Sequence, residues 1–308
     1  MSRTGLLVFL VFLLEAACHT AAVQHTVAPP RVADFELTVS DLSRATNFFV
    51  DGLAFRSAGR GHVALGKEEV VLNTFEGTGR PVPADSHAND LWFEHIAIVV
   101  ADMDAAYARV AALGAEAVSA GPQTIPMSNP AAGGIRAFYF RDGDGHSLEL
   151  IWFPAGKGDP RWQMGDGRLF LGIDHTAIAV ADTEQSLRFY RDLLGLEVKG
   201  HSLNEGVEQE RLSGVPGARV RITGLRGAAG PGVELLEYLA PKTGRSAPAD
   251  THPEDRWYWE IVIFVDDLAA ARARLSSAGV RIEESAHGLV VRDPDGHHVR
   301  LMQGEVKS

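Results

Sequence analysis

The stretch Gly79-Arg80-Pro81-Val82-Pro83-Ala84-Asp85-Ser86-His87-Ala88-Asn89-Asp90 returns as Gly244-Arg245-Ser246-Ala247-Pro248-Ala249-Asp250-Thr251-His252-Pro253-Glu254-Asp255, and each copy leads into an aromatic strand holding His95 or Glu260. A chain carrying such a repeat is one domain written twice, which restricts it to folds with two equivalent halves. A finer repeat lies within it. Asp34, His95, His175 and Glu260 each open an apolar run that ends seven residues on, at Asp41, Asp102, Asp182 and Asp267. Four short units therefore make two domains. The residue that opens each unit is a carboxylate or an imidazole, the side-chain types that ligate a divalent cation.

The 308 residues suit two domains, each long enough to bury a core. A net charge of -11 argues against binding to a phosphate backbone, which needs clustered Lys and Arg, so nucleic acid is excluded as a partner. Residues 1–22 have the form of an export signal: Arg3 in a short head, the apolar run Leu6 to Leu14, then Ala16-Ala17-Cys18. Cys18 sits where bacterial lipoproteins are lipidated, although Glu15 departs from that box, and plain cleavage near Ala22 or an uncleaved anchor are the alternatives. The run is too short to span a bilayer, so any membrane attachment is through the signal or a lipid. The body is expected to be exported, in the periplasm or another extracytoplasmic space. Cys18 is the sole cysteine, which leaves no structural disulfide, and residues 23–31 read as a tether with Pro29-Pro30.

In the third unit, Ile173-Asp174-His175-Thr176-Ala177-Ile178-Ala179-Val180 reads as a buried strand, and Thr183 as the cap of a helix through Leu187, Phe189, Tyr190 and Leu193 to the stop at Gly195. The same order recurs in Phe35 to Val39 with a helix to Gly52, in Ile96 to Val100 with a helix to Gly114, and in Ile261 to Val265 with a helix to Gly279. Each helix is followed by short β-rich runs such as Arg219-Val220-Arg221-Ile222. One such unit cannot bury its apolar sheet face alone, so units must pair around a shared cavity. Pairing within each half predicts domains at residues 32–155 and 170–304, with a Gly- and Pro-rich linker over 156–169.

The His175 strand, the helix end Phe189-Tyr190-Arg191-Asp192-Leu193-Leu194-Gly195-Leu196, and the closing hairpins Asp142-Gly143-Asp144-Gly145-His146 and Asp293-Pro294-Asp295-Gly296-His297 resemble the vicinal oxygen chelate superfamily. That group contains glyoxalase I, extradiol dioxygenases, methylmalonyl-CoA epimerase and the bleomycin and fosfomycin resistance proteins. The resemblance implies an α+β fold of two tandem domains, each made from two paired βαβββ units that form a cupped, barrel-like sheet. It also implies a divalent metal ion such as Zn, Ni, Mn, Co or Fe and a small-molecule ligand. Reaction type stays open, since isomerisation, ring cleavage, epimerisation and sequestration all occur on one scaffold.

As the resemblance implies, the ligand places lie on the first and last strand of each unit. In the amino-terminal half they fall on Asp34, His95, Val71 and Glu149; Val71 cannot ligate, and Glu69, two residues earlier on the same face, can substitute. In the carboxy-terminal half they fall on His175, Glu234, Glu260 and Arg300. Arg300 repels a cation and would instead pair with Glu260 or Glu234, or grip an anionic group of the substrate. Glu149, Glu234 and Glu260 are the candidate bases, and Tyr238, on the face of Glu234 and Leu236, a candidate substrate contact. A metal-free cup is the competing reading. Asp142, Asp144, Asp293 and Asp295 read as turn residues rather than calcium ligands, and His146, His297 and His298 are expected to face solvent. The repeated His87 and His252 loops link paired units, with a lid over the cavity as the alternative.

The leading function is thus an exported, metal-dependent lyase or isomerase that moves a proton next to a carbonyl, as in glyoxalase. An extradiol-type dioxygenase ranks below it because neither half supplies two His, and a metal-free binding protein is the third reading. No serine elbow, phosphate loop or His-Glu-x-x-His helix competes. Both monomer and homodimer are compatible with tandem domains.

Overall fold

The four Asp residues that close the apolar runs each start a helix. Asp41 accepts from the Arg44 amide, Asp102 from those of Asp104 and Ala105, Asp182 from that of Gln185 and Asp267 from that of Ala270. Each cap satisfies an otherwise orphaned amide and contributes about 1 kcal/mol. Thr183 was expected in that role; it instead sits one residue inside the helix, buried, and its hydroxyl donates to Glu237 at 2.8 Å.

The computed structural model describes residues 29–77, 79–165 and 167–304. The export signal, Cys18 and most of the tether lie outside the described residues. In the first unit β1 (Arg31–Thr38) and α1 (Leu42–Asn47) precede β2 (Arg56–Gly59), β3 (His62–Leu65) and β4 (Glu68–Asn73). The second holds β5 (Glu94–Val100), α2 (Met103–Ala112), the short β6 (Glu116–Ala117) and β7 (Gln123–Thr124), then β8 (Arg136–Arg141) and β9 (Ser147–Trp152). The third holds β10 (Phe170–Val180), α3 (Thr183–Leu187), β11 (Glu197–Asn204), α4 (Val207–Ser213), β12 (Arg219–Arg226) and β13 (Gly232–Ala240). The fourth holds β14 (Trp259–Val265), α5 (Leu268–Ser277), β15 (Ile282–Ser285), β16 (Gly288–Arg292) and β17 (His298–Gln303).

The α+β architecture of paired units in cupped sheets is as expected, but the partners are not. One sheet runs β15, β16, β17, β14, β1, β4, β3, β2, and the other runs β11, β12, β13, β10, β5, β9, β8, β6. The first unit thus joins the fourth through β1 and β14, and the second joins the third through β10 and β5. Pairing within each half had placed Asp34 with His95 and His175 with Glu260; the observed pairing separates both couples. Local periodicity defines a unit but carries no information on which central strand it meets, because every unit offers the same apolar face.

Alternation along each central strand then divides its side chains between two surfaces. Ile96, Ile98 and Val100 of β5 join one apolar core with Phe35 and Leu37 of β1, Ile178 and Val180 of β10, and Ile261 and Ile263 of β14. The opposite face of each sheet is left to line a cup. The repeated loops clasp each other rather than covering either cup: Arg80 reaches Asp255 at 2.6 Å while Arg245 reaches Asp90 at 2.7 Å, and each guanidinium lies 4.7 Å above Trp257 or Trp92. His87 and His252 remain exposed on these loops.

The hairpin aspartates are turn residues, as expected, but the histidines that follow them are not solvent-facing. His146, His297 and His298 are all buried. His146 Nδ1 lies 2.8 Å from Asp142 Oδ2, and His297 Nδ1 lies 2.9 Å from Asp293 Oδ2. The same aspartate also accepts the backbone N–H of its histidine, so the Asp-x-Asp-Gly-His turn carries its ion pair inward. Burial opposes charge on His297, but Asp293, with Glu94 and Asp295 further off, outweighs it and raises the imidazole to about 9. The folded state therefore keeps a proton that the unfolded chain releases near 6.5. This contribution is complete below that pH and is lost as pH climbs through about 9. We expect denaturant titrations to show stability falling by on the order of 3 kcal/mol between pH 6.5 and 9.5. His297→Gln should flatten that slope; an unchanged slope in the variant would remove His297 as its source.

Candidate functional site

Strand register brings four donors onto one surface. β10 runs antiparallel to β5 with His175 opposite Ala97 and Ala177 opposite His95. β9 lies parallel to β5 with Glu149 beside Ala97, and β13 lies parallel to β10 with Glu234 beside Ala177. Neighbours in register share a face, so the four donors surround two alanines whose methyl groups leave the centre open. His95, Glu149 and His175 each present a ligand atom within 4.8 Å of the other two, all buried. Among the described residues this is the sole cluster of three such donors.

His95 Nε2 lies 3.1 Å from Glu149 Oε2, and His175 Nε2 lies 3.4 Å from the same oxygen and 3.5 Å from Glu234 Oε2. The His95 contact is close but misdirected, so neither ring nitrogen of this buried imidazole makes a hydrogen bond. On the far side, His175 Nδ1 is 3.0 Å from Asp174 Oδ2; Arg226 donates to that same oxygen at 2.7 Å and the Trp162 indole to Asp174 Oδ1 at 2.9 Å. A register shift in β10 between Ile173 and His175 accompanies this adjacent pair. A carboxylate on Nδ1 fixes the tautomer that exposes the Nε2 lone pair, the usual second-layer support for a metal-binding imidazole. Burial raises Glu149, but the His175 and His95 imidazoles outweigh it and hold the carboxyl at about 2. Burial likewise opposes charge on His175, yet Glu234, Asp174 and Glu149 push it well above its ordinary value.

These residues fit a divalent ion. An orphaned buried imidazole, a second one with a fixed tautomer, and two carboxylates that pair with no Lys or Arg among the described residues form a nitrogen and oxygen set suited to borderline cations. Of the predicted ligands, His95, Glu149, His175 and Glu234 are brought together, whereas Asp34 and Glu260 belong to the other sheet.

That second cup holds an internal cation. Glu36 stands opposite Glu260 and beside Val71, and Arg300 stands beside Val262, a register equivalent to that of the first cup. Arg300 Nη2 lies 2.6 Å from Glu260, its Nε lies 3.5 Å from Glu36, and its Nη1 donates to Ser285 at 2.9 Å. Tyr258 donates to the other Glu260 oxygen. Arg300 therefore faces inward as predicted and pairs with Glu260; Glu234 is in the other sheet, and Arg300 makes no contact with the four-donor site. Burial, with Glu69 beside it, raises Asp34 to about 6, and Glu69 is itself engaged by His62. Glu260 is thus a salt-bridge partner rather than a base or ligand.

Beside the four donors lies a chamber of about 110 Å3 whose walls include Tyr139, Ile151, Phe153, Leu212 and Ile222 as well as Glu149, His175 and Glu234. Tyr238 does not line it. Its ring belongs to the apolar cluster of Leu212 and Val220, and Tyr139, on β8 opposite Glu149 of β9 and 4.8 Å from the His95 ring, is the tyrosine that lines the chamber. Tyr139 and Asp174 were missed by sequence reasoning. Asp174 adjoins a candidate ligand, a signal that was available; Tyr139 needed the β8 to β9 register.

A family model described as the Glyoxalase/Bleomycin resistance protein/Dioxygenase superfamily matches residues 24–150 and 172–301. Comparison with the curated proteins finds no match. Among solved structures, glyoxalase I from Zea mays is similar at 17% identity and a TM-score of 0.60, covering 89% of this chain and 92% of that one. A candidate dioxygenase from Bacillus subtilis is similar at 14% identity and a TM-score of 0.55, covering 90% of this chain and 86% of that one. At these identities the structural likeness concerns the fold.

Proposed function

Because the chain belongs to the Glyoxalase/Bleomycin resistance protein/Dioxygenase superfamily, we propose that it is a divalent-metal-dependent lyase or isomerase that moves a proton next to a carbonyl of a small molecule. The observation that carries this reading is the convergence of His95, Glu149, His175 and Glu234 at the mouth of an apolar chamber. A bound Zn, Ni, Mn, Co or Fe ion would supply Lewis-acid polarisation of two neighbouring substrate oxygens.

The two carboxylates have different freedom. Glu149 is buried between both imidazoles, while the Glu234 side chain is 29% exposed and faces the chamber. Glu234 is therefore the base in this reading: it takes the proton from the carbon beside the carbonyl and returns it to the neighbouring carbon. His95, His175 and Glu149 stay fixed, and the partly exposed Glu234 can trade the abstracted proton with solvent before returning it. Export of the folded body is part of the proposal, supported by the form of residues 1–22.

A ring-cleaving dioxygenase is the second reading, and the pairing of units strengthens it. The ground for ranking it lower was the lack of two His in one half; His95, His175 and Glu149 now provide two imidazoles and one carboxylate. Glu234 as a fourth donor favours proton transfer. Metal-loaded protein in D2O is expected to exchange deuterium into the carbon beside the carbonyl of α-hydroxyketones or hemithioacetals. Glu234→Gln should slow exchange roughly a hundredfold or more while metal is retained. No exchange across the panel, with oxygen consumed on catechols by the iron form, would transfer the assignment to ring cleavage.

A further inference from the structure

Resting on the metal-site reading above, we propose that the ligand is compact and uncharged beyond its two chelating oxygens, with an aliphatic or aryl body, and that ligands bearing an additional carboxylate are excluded. The inner chamber is walled by Ile125, Ile135, Ile151, Phe153, Leu212 and Ile222. Such a wall favours an apolar body in proportion to the area it covers and offers an anionic group no compensation for lost water. An outer chamber of about 280 Å3 adjoins it, and Ile125, Ser202 and Asn204 line both. Its other polar walls are Ser128, Asn129 and Gln209, the imidazole of His201, whose Nδ1 lies 3.0 Å from the Thr223 hydroxyl, and the carboxylates of Glu205 and Glu208.

Among the described residues no Lys or Arg lines either chamber. Three cations that reach chamber-lining residues are engaged there: Lys157 donates to the Pro130 and Ala131 carbonyls, Arg219 to Glu205, and Arg226 to Asp174. Charge at the centre closes without surplus, since Glu149 and Glu234 together balance one divalent ion. A second anionic group would meet apolar walls, other carboxylates, or hydroxyl, amide and imidazole groups, and among the described lining residues no Lys or Arg balances its charge. Gln209 Oε1, buried on the outer chamber and without a partner, suits an uncharged hydrogen-bond donor at the far end of the ligand. Asn129 Nδ2 bridges to Asn204 Oδ1 at 2.9 Å and to the Leu203 carbonyl at 3.1 Å, tying the loop that carries Asn129 to β11 at the wall of the outer chamber.

The test is calorimetry on the zinc-loaded protein with three chelating probes: acetohydroxamic acid, benzohydroxamic acid and 4-carboxybenzohydroxamic acid. The phenyl probe is expected to bind at least about tenfold tighter than the methyl probe, and the carboxylated probe at least about tenfold weaker than the phenyl one. Ser202→Arg, which places a cation on the wall that lines both chambers, should restore the carboxylated probe. Equal or tighter binding of the carboxylated probe to the unaltered protein overturns the inference, as does equal binding of the methyl and phenyl probes. If the protein takes up no zinc, the metal-site reading falls and this inference with it. If zinc is held and the ranking fails, only this inference falls.

Discussion

One divalent ion per chain, and not two, is the expected result of elemental analysis on the purified protein. The stoichiometry follows from the difference between the cups: one places His95, Glu149, His175 and Glu234 around a space floored by Ala97 and Ala177, and the other has Arg300 in the equivalent space. Ala replacement of His95, Glu149 or His175 should each weaken uptake roughly a hundredfold or more, since total binding energies on the order of 12 kcal/mol are shared among about four ligands. Glu234→Gln should keep the ion, since the amide Oε1 still offers a donor atom and His95, Glu149 and His175 are intact. Asp174→Asn, which takes the anionic partner from His175 Nδ1, should cost about tenfold to a hundredfold in affinity. Asp34→Ala should leave metal content unchanged, as its carboxylate lies in the other sheet beside Glu69. Two ions per chain, or full retention in His175→Ala, would refute the single-site assignment.

All four residues of that site were legible as ligand types, Glu149 and Glu234 as places the family resemblance implies, and His95 and His175 for a local reason. A polar residue opening an apolar run, with a helix-capping Asp seven residues on, marks the start of a central strand whatever that strand later pairs with. The same locality explains the hairpins, whose Asp-Gly pairs announce turns. What the sequence concealed was association. His95 and Glu149 were assigned to one cup and His175 and Glu234 to another, because a unit's apolar face is equally complementary to any other unit's. The deciding contacts, such as Thr176 donating to the His95 carbonyl at 2.9 Å, connect residues far apart in the chain. Burial of His146 and His297 was hidden for a different reason. Turn chemistry reads as solvent exposure, yet an aspartate four residues earlier can accept both the backbone and the ring N–H and so carry the imidazole inside.

Arg300→Ala is expected to destabilise the fold by about 4 kcal/mol, read as a lower denaturant midpoint with unchanged slope. Glu260 is 3% exposed and its Oε2 faces the guanidinium, so truncating the arginine leaves a carboxylate in low dielectric with the Tyr258 hydroxyl as its remaining partner. Glu36, 3.5 Å from the same guanidinium, then adds repulsion where attraction had been. Burial already raises Glu260 despite Arg300 and Tyr258; without the arginine it should be raised further, and acid should recover part of the lost stability by neutralising it. The double variant Arg300→Met with Glu260→Leu removes both charges at similar volume, and its cost should fall to within about 1 kcal/mol of the parent. A full cost persisting in the double variant would mean that Arg300 acts through packing against the sheet rather than as the cup's resident cation. Arg300→Glu sharpens the distinction: it adds an acid beside Glu36 and Glu260, so added divalent ion should stabilise this variant in that cup where it leaves the parent's second cup unaffected.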